Sequence, residues 1–501
     1  MFVYRRKIAG RLIAVPGVSV ARSFLVVAGF FTGLAAAQAQ PPTEAASESQ
    51  QRPNVVIFLI DTLRADRLGI YGYDKPTSPH IDALAPSAVR FSHAESAAPW
   101  TLPSIVSLMT SKHPVEHGVV ADGRHADPAA PVLAERLQRL DYQTESYYAN
   151  EFAGSASAMT RGFDHAALVT HTDGNDVRKF LNERDEKRPF FLYIHNVEPH
   201  NPFELRVGER YTEHFGEVDF VNRRNMLDLY VNYRGATRKA EGEGAARTKQ
   251  QTAYLAELQA LKSSTIDVLY DASVRLADER VGEVIAALRE GGVWENTVFV
   301  LLSDHGEEMG EHGGWQHDQS VYAELVHVPF LIRFPRDVRG GQVLASPATL
   351  VDVVPTLLDL LGEVPEPGAS QGTSLLPIIR GDEGARAAWD ERIHFTAQRV
   401  NVLKYYQPFK ASRGDFNIVM RQGSWKAIWN GEQDVMELYT VSEDPTDSVN
   451  LAEKHPALVE SFREAVKQRF GGLQLEDFET EKGSWELTPA QIENLKTLGY
   501  L

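Results

Sequence analysis

The sequence predicts an α/β fold: an α/β/α sandwich around a mostly parallel central sheet, with a small antiparallel sheet appended toward the C-terminal end. Three observations carry that prediction. Continuous apolar, β-branched runs recur along the first two thirds of the chain, as strands buried on both faces require. Helical stretches separate them, and strands alternating with helices imply crossover units in a parallel sheet. Beyond a Pro/Gly-rich joint, shorter runs separated by turn residues read as antiparallel strands.

In chain order, residues 1–39 contain Arg5, Arg6, Lys7, Arg11 and Arg22 but no acid, then the apolar run "FLVVAGFFTGLAAA" from Phe24 and the small-residue triplet "AQA". This is the layout of an export signal. The run is shorter than the roughly 20 residues a spanning helix needs, so cleavage is expected rather than anchoring. Residues 40–52, "QPPTEAASESQQR", are polar and read as a disordered leader.

A catalytic domain is expected over residues 53–365. Its strands are "NVVIFLI" (Asn54 to Ile60), "FFLYIH" (Phe190 to His195), "TVFVLLSD" (Thr297 to Asp304) and "VPFLIRF" (Val328 to Phe334). "PVLAERLQRL" and "ASVRLADERVGEVIAALRE" supply helices between them. "PWTLPSIVSLMTSKHP" (Pro99 to Pro114) reads as a loop entering a short helix, with Thr101 at the N-cap and Pro103 in the first turn. Residues 206–262 are highly charged and read as a surface insertion with some helix that covers the site. After "LVDVVPTLLDLLG", the stretch "EVPEPGASQGTS" joins a C-terminal subdomain over 366–501. There "FNIVMRQGSWKAIWN" and "VMELYTV" read as antiparallel strands and "PAQIENLKTLGYL" as a terminal helix. No internal repeat is evident.

The chain has 501 residues, 43% of them hydrophobic, and a formal net charge of −17. Loss of the five basic residues of the signal takes that to −22. Such acidity argues against nucleic acid as a partner and against stable membrane insertion once the signal is removed. Cysteine is absent, which excludes disulfides, thiolate ligands and a cysteine nucleophile. The expected location is periplasmic or secreted.

In a parallel sheet, ligands gather at the carboxyl ends of the strands. Asp61, His195 and Asp304 fall at such ends. Asp304-His305 opens "SDHGEEMGEHGGWQHD", and one oxygen with one nitrogen ligand suits Zn²⁺ or Mn²⁺ better than Ca²⁺. Asp61 strengthens the metal reading, because an ion needs carboxylates converging from separate elements. The alternative is a polar Gly-rich turn. His200 in "EPHNPF" and His317 in "GWQHD" could protonate a leaving group or bind a transferring anion, although most single histidines do neither. His195, His312 and His327 read as structural or supporting. Arg64 and Asp66 could orient Asp61, or form a helix-start ion pair of little worth. Thr101 either caps its helix or attacks a substrate held there, since a helix N-terminus favours anions in both cases.

Together, "PNVVIFLIDTLRADRLGIYGY", "TLPSIVSLMTSKHP", "EPHNPF", "SDHGEEMGEHG", "DVVPTLLDLLG" and "MELYTVSEDPTDSVNLA" resemble the sulfatase family of the alkaline phosphatase superfamily, from Pro53 to about Leu451. The resemblance implies a metal-dependent ester hydrolase. Asp61, Asp304 and His305 would be metal ligands and Thr101 the nucleophile touching the metal. His200 and His317 would contact the transferring group or leaving oxygen.

The departures from the family pattern matter as much. Where sulfatases carry Cys/Ser-x-Pro-x-Arg, this chain reads Thr101-Leu102-Pro103-Ser104-Ile105, so no formylglycine is expected. Thr62 stands for the second Asp of the usual pair, His305 for a frequent Asn, and "YYANEFAG" for a Lys-x-His segment. A threonine ester cannot collapse to an aldehyde and must be released by a second displacement. The expectation is therefore a phosphate or phosphonate mono- or diester hydrolase with a divalent cofactor, Mn or Zn over Ca, one or two ions. Glu198, His312 and His317 are loose candidates for a second site. The substrate class is a small-molecule, glycan or lipid-headgroup ester. Alternatives are a sulfuric ester hydrolase without formylglycine, an inactive sulfatase-like binding protein, or a transferase.

Overall fold

A computed structural model describes residues 52–119, 125–203, 207, 209–216, 218, 249–261, 265–318, 320–337, 339–363, 368–399, 416–431, 433–470 and 487–498. The export signal, nearly all of the leader and most of the charged insertion lie outside the described residues. Of that insertion, the helices Glu209–Thr212 and Lys249–Leu261 are described. No described helix is long and apolar enough to cross a membrane.

The central sheet is built on β1 (Asn54–Ile60), β5 (Phe190–Asn196) and β6 (Thr297–Leu302), with β1 parallel to both neighbours. Beyond β5 follow β3 (Gln143–Tyr148) and β4 (His165–Leu168), also parallel. On the other side β9 (His327–Arg333) runs antiparallel to β6 and to β2 (Ala88–Glu95), so the sheet is mixed but mostly parallel. The short strands β10 (Val343–Leu344) and β11 (Ala348–Thr349) pair with β2.

The uninterrupted apolar run of β1 has a direct cause. Val55, Ile57 and Leu59 enter one core with the helices Thr101–Thr110, Leu133–Arg139 and Val353–Leu360. Val56, Phe58 and Ile60 enter a second core with the helices Gly174–Glu183 and Asp267–Glu290. Alternation along a strand sends successive side chains to opposite faces, so a strand covered on both has no polar side to show.

Past β6, the segment carrying Glu307 and His317 forms a small antiparallel pair, β7 (Glu308–Met309) and β8 (Trp315–Gln316). The C-terminal sheet is antiparallel, in the order β12 (His394–Arg399), β13 (Phe416–Gln422), β14 (Trp425–Asn430) and β15 (Val435–Thr440). Ile418, Met420 and Leu438 face the helix Pro456–Phe470, while Val419, Ile428 and Tyr439 face Val321, Tyr322 and Leu325. The sheet thus backs the segment that follows β8. The helix Pro489–Thr497 is opened by a Thr488/Gln491 capping box.

One local expectation is corrected. Trp100, not Thr101, is the N-cap of Thr101–Thr110, and no side chain caps it. Thr101 is the first helical residue, and its hydroxyl points into the sheet-end cluster instead of back at its own backbone.

Candidate active site and metal centre

The carboxyl ends of β1, β5 and β6 bring Asp61, His195 and Asp304 together. One ligand atom from each lies within 4.8 Å of the others, and all three residues are fully buried. Parallel register explains the convergence: Leu59 lies opposite His195 and Leu302, so chain positions far apart end at one level. The Asp61 amide donates to the Asn196 carbonyl at 2.8 Å, fixing one strand end to the next.

His195 Nε2 is 3.5 Å from Asp61 Oδ2 and 3.9 Å from Asp304 Oδ2. Both separations are too long for well-formed hydrogen bonds. Among the described residues, neither ring nitrogen of His195 nor Asp304 Oδ2 has a hydrogen-bond partner. His195, read from the sequence as structural or supporting, thus stands in the group of residues that could hold an ion. Its position at a strand end, shared with Asp61 and Asp304, was the available signal.

His305 completes the cluster. Its Nδ1 meets the Gly306 carbonyl at 2.8 Å, which only a protonated Nδ1 can satisfy, so the Nε2 lone pair faces inward. Nε2 lies 3.4 Å from Asp61 Oδ1, 3.7 Å from Asp304 Oδ2 and 3.2 Å from Thr101 Oγ1. Burial pulls this imidazole down to about 4 against the attraction of Asp304, leaving a neutral ring. Burial alone would raise the Asp304 carboxyl. The amide of His305, which donates to Asp304 Oδ1 at 3.0 Å, and the place of the carboxyl beside the His305 and His195 rings lower it instead.

Thr101 Oγ1 is also 3.4 Å from Asp61 Oδ2. Asn150, in the "YYANEFAG" segment but not singled out as a site residue from the sequence, donates from Nδ2 to that same oxygen at 3.2 Å. The rings of His305 and His317 are 4.6 Å apart, and those of His317 and His200 5.0 Å, so the three histidines form a row away from the cluster. The Asp318 amide donates to the Pro99 carbonyl at 3.0 Å, which ties the His317 segment to the loop before Thr101. His200 Nδ1 meets the Asn201 carbonyl at 2.5 Å, and His317 Nδ1 lies 3.4 Å from Glu307.

Thr62 and Arg64 act around the cluster rather than in it. Thr62 has φ of 59°, a left-handed conformation that costs a β-branched residue and persists where surroundings enforce it. Its amide faces Asp304 Oδ1 at 3.4 Å, its hydroxyl donates to the Asp61 carbonyl, and its carbonyl accepts from Tyr270. Arg64 grips Asp66 with two nitrogens and reaches Glu311 and the Glu307 carbonyl with a third, joining the β1 and β6 loops. The remaining candidates lie elsewhere: Glu198 faces Arg280, His312 pairs with Glu324, and His327 meets the Ser92 carbonyl.

The arrangement offers two carboxylates, two inward imidazoles and a hydroxyl, a donor set suited to one divalent ion beside a nucleophile. A family model described as Sulfatase matches residues 53–363, and one described as N-sulphoglucosamine sulphohydrolase, C-terminal, matches 310–474. The chain is 22% identical to an N-acetylglucosamine-6-O-sulfatase of Bacteroides thetaiotaomicron, over 84% of this chain and 87% of that protein. It is 23% identical to an arylsulfatase of Clostridium perfringens, over 84% and 95%. Among solved structures, a phosphonate monoester hydrolase of Agrobacterium radiobacter superposes with a TM-score of 0.61 at 20% identity, over 87% of this chain and 100% of that one. A structure holding its substrate D-glucosamine-2-N,6-O-disulfate gives 0.62 at 19%, over 86% and 100%. Because the matching model spans more than half of the residues, this chain belongs to the sulfatase family of ester hydrolases.

Proposed function

We propose that this protein hydrolyses a phosphate or phosphonate mono- or diester, using Thr101 as nucleophile beside a divalent ion held by Asp61, His195, Asp304 and His305. The observation that carries the reading is the place of Thr101 Oγ1, inside the buried cluster at 3.2 Å from His305 Nε2 and 3.4 Å from Asp61 Oδ2. The residues fit an ion. Asp304 Oδ2 and His195 Nε2 are buried donor atoms with no hydrogen-bond partner among the described residues, a costly state that a cation relieves. Two nitrogens and two carboxylates favour Mn²⁺ or Zn²⁺ over Ca²⁺. When bound, such an ion would supply Lewis acidity, making the Thr101 hydroxyl more acidic and offsetting charge on the transferring group.

The chain's own residues then divide the work. Asn150 and Thr62 hold the Asp61 carboxylate and its carbonyl in place. Asp61 Oδ2 is within reach of the Thr101 proton as Oγ1 bonds to phosphorus. The departing alcohol oxygen takes a proton from His317 or His200, the two outer rings of the histidine row. Water, giving a proton to the histidine that lost one, displaces Thr101 from the resulting threonine ester in a second in-line step, and the Thr101 oxygen takes its proton back from Asp61.

Thr101 stands where sulfatases carry the residue oxidised to formylglycine, and threonine cannot become that aldehyde. Release by a second displacement suits phosphorus, and a phosphonate monoester hydrolase is among the similar folds. The named sulfatase relatives favour a second reading, sulfate ester hydrolysis with unmodified Thr101. The signal-like first 39 residues support export to the periplasm or medium, with which the absence of cysteine is compatible.

Parallel assays with an aryl phosphate, phosphodiester, phosphonate monoester and sulfate, each with Mn²⁺, Zn²⁺ and Ca²⁺, test the proposal. A phosphorus ester turned over fastest with Mn²⁺ or Zn²⁺ is expected, and Thr101→Ala should lower it by at least about 10³-fold. Fastest turnover of the sulfate moves the assignment to sulfur. Full activity of Thr101→Ala removes Thr101 as nucleophile and leaves direct attack by water.

A further inference from the structure

The helix Pro489–Thr497 lies far along the chain from every residue of the cluster, yet it holds the loop that carries Asn150. Asn494 Nδ2 donates to the Ala149 carbonyl at 2.9 Å, and Asn494 Oδ1 accepts from the Glu151 amide at 3.1 Å. One side-chain amide therefore bridges the two residues flanking Asn150. Gln491, one turn earlier, donates to the Glu151 carboxylate at 3.1 Å and to Ser155 Oγ at 2.7 Å. Leu498 packs on Ala149 and Val197, the residues that follow β3 and the β5 strand end. The Ala149 amide in turn donates to the His195 carbonyl at 3.2 Å.

We infer that this C-terminal helix belongs to the metal centre, with Asn494 as a positioning residue that sets the Asn150 amide against Asp61 and so tunes cation affinity. The inference rests on the cluster binding a divalent ion, as proposed above. Its physical basis is that an amide donor fixes which carboxylate oxygen is turned toward a cation, and a donor on a loop is only as fixed as the loop. The loop of Asn150 leaves a sheet strand at Tyr148 and keeps one bond to the sheet, from the Ala149 amide to His195. The Ala149 carbonyl and the Glu151 amide, on either side of Asn150, are pinned by Asn494. Ordering this loop in advance removes a cost that cation binding would otherwise carry.

Calorimetric titration of the metal-free full-length protein with Mn²⁺ reads the effect without relying on turnover. Asn494→Ala is expected to weaken Mn²⁺ binding by about 10-fold, within the range typical of groups that hold metal ligands. Asn150→Ala should weaken it at least as much, and the double variant no more than Asn150→Ala alone, because Asn494 acts through Asn150. Lys496→Ala, at an exposed position of the same helix, should leave affinity unchanged. Losses that add in the double variant, or equal weakening by Lys496→Ala, overturn the inference, as does unchanged affinity of Asn494→Ala where Asp61→Asn abolishes binding. If Asp61→Asn binds Mn²⁺ like the unaltered protein, the metal reading itself fails and takes this inference with it.

Discussion

Two buried polar clusters flank the segment after β6, and they close their charge in opposite ways. Beneath the C-terminal sheet, Glu95 meets Arg421 at 3.1 Å, Lys426 meets Asp447, and His312 meets Glu324 at 2.6 Å. In each of these pairs a charge faces an opposite one. At the strand ends, the groups around Asp61 and Asp304 include imidazoles, amides and a hydroxyl, Asp304 Oδ2 has no hydrogen-bond partner among the described residues, and the inward lone pair of His305 Nε2 lies 3.7 Å from it. Burial is equal in the two places, so burial does not distinguish a site from a scaffold. A buried charge persists only when something pairs with it. The network beneath the C-terminal sheet finds its partners within the chain, and under the proposed function the strand-end cluster would receive one from outside.

Removing a charge should therefore do opposite things in the two clusters. Asp304→Asn takes away one of two neighbouring carboxylates. Mn²⁺ binding should be lost and ester hydrolysis reduced by about 10³-fold or more, while the metal-free protein melts no lower than the unaltered one. Titration with Mn²⁺ and thermal melts with and without EDTA check both halves. If Asp304→Asn destabilises the metal-free fold, the strand-end cluster is a structural network and the contrast fails.

Lys426→Met is the counterpart. Lys426 Nζ holds Asp447 and the Val321 carbonyl, with both side chains almost wholly buried. Its loss strands the Asp447 carboxylate and should cost about 3–5 kcal/mol, seen as a lower urea midpoint. The kcat of the folded fraction should change little, because neither residue touches the cluster. A stable but inactive Lys426→Met would mean that the C-terminal sheet reaches the chemistry.

How far the sequence carried this picture depended on where each residue's partners lie. β1 was legible in full because both its faces are covered, and the convergence of Asp61 with Asp304 was legible because parallel strands end at one level. β2 and β3 were not. "AVRFSHAE" and "QTESYY" look half-polar, but Glu95 finds Arg421 and Glu145 finds His165 at 2.6 Å, contacts with no local trace. β12 was missed as well. His195 read as structural or supporting because it ends an apolar strand, and the fold brings it 3.5 Å from Asp61. Asn150 lies in the "YYANEFAG" segment that departs from the family pattern, but an amide in a loop becomes meaningful only when a carboxylate arrives opposite it. Thr101 read as a cap or a nucleophile, since a helix N-terminus admits both. The backbone makes Trp100 the cap and turns the Thr101 hydroxyl toward His305.

The smallest expected effect sharpens the account of the paired network through pH. Burial alone would depress His312, but its hydrogen bond to Glu324 and that carboxylate's charge raise it from 6.5 to about 9. The Glu308 carboxylate adds to the rise, the Asp447 carbonyl accepts from Nε2 at 3.1 Å, and Tyr322 stacks on the ring at 3.7 Å. A group whose proton is held more tightly in the folded state than in the unfolded one stabilises most below its unfolded value. The contribution is thus whole below pH 6.5 and lost as pH rises through about 9. Burial also pushes the Glu324 carboxyl up, and that shift too makes stability fall as pH rises. Glu324→Gln removes both, leaving a buried imidazole that prefers to be neutral. The gap in melting temperature between the unaltered protein and Glu324→Gln should be wide at pH 7, corresponding to on the order of 2 kcal/mol, and should close above pH 9. His305 at the strand ends is no counterpart, because it is held neutral across that range. A gap that stays constant from pH 6 to pH 10 would show that Glu324 serves His312 as a hydrogen-bond acceptor alone, and that this part of the network closes by geometry rather than by charge.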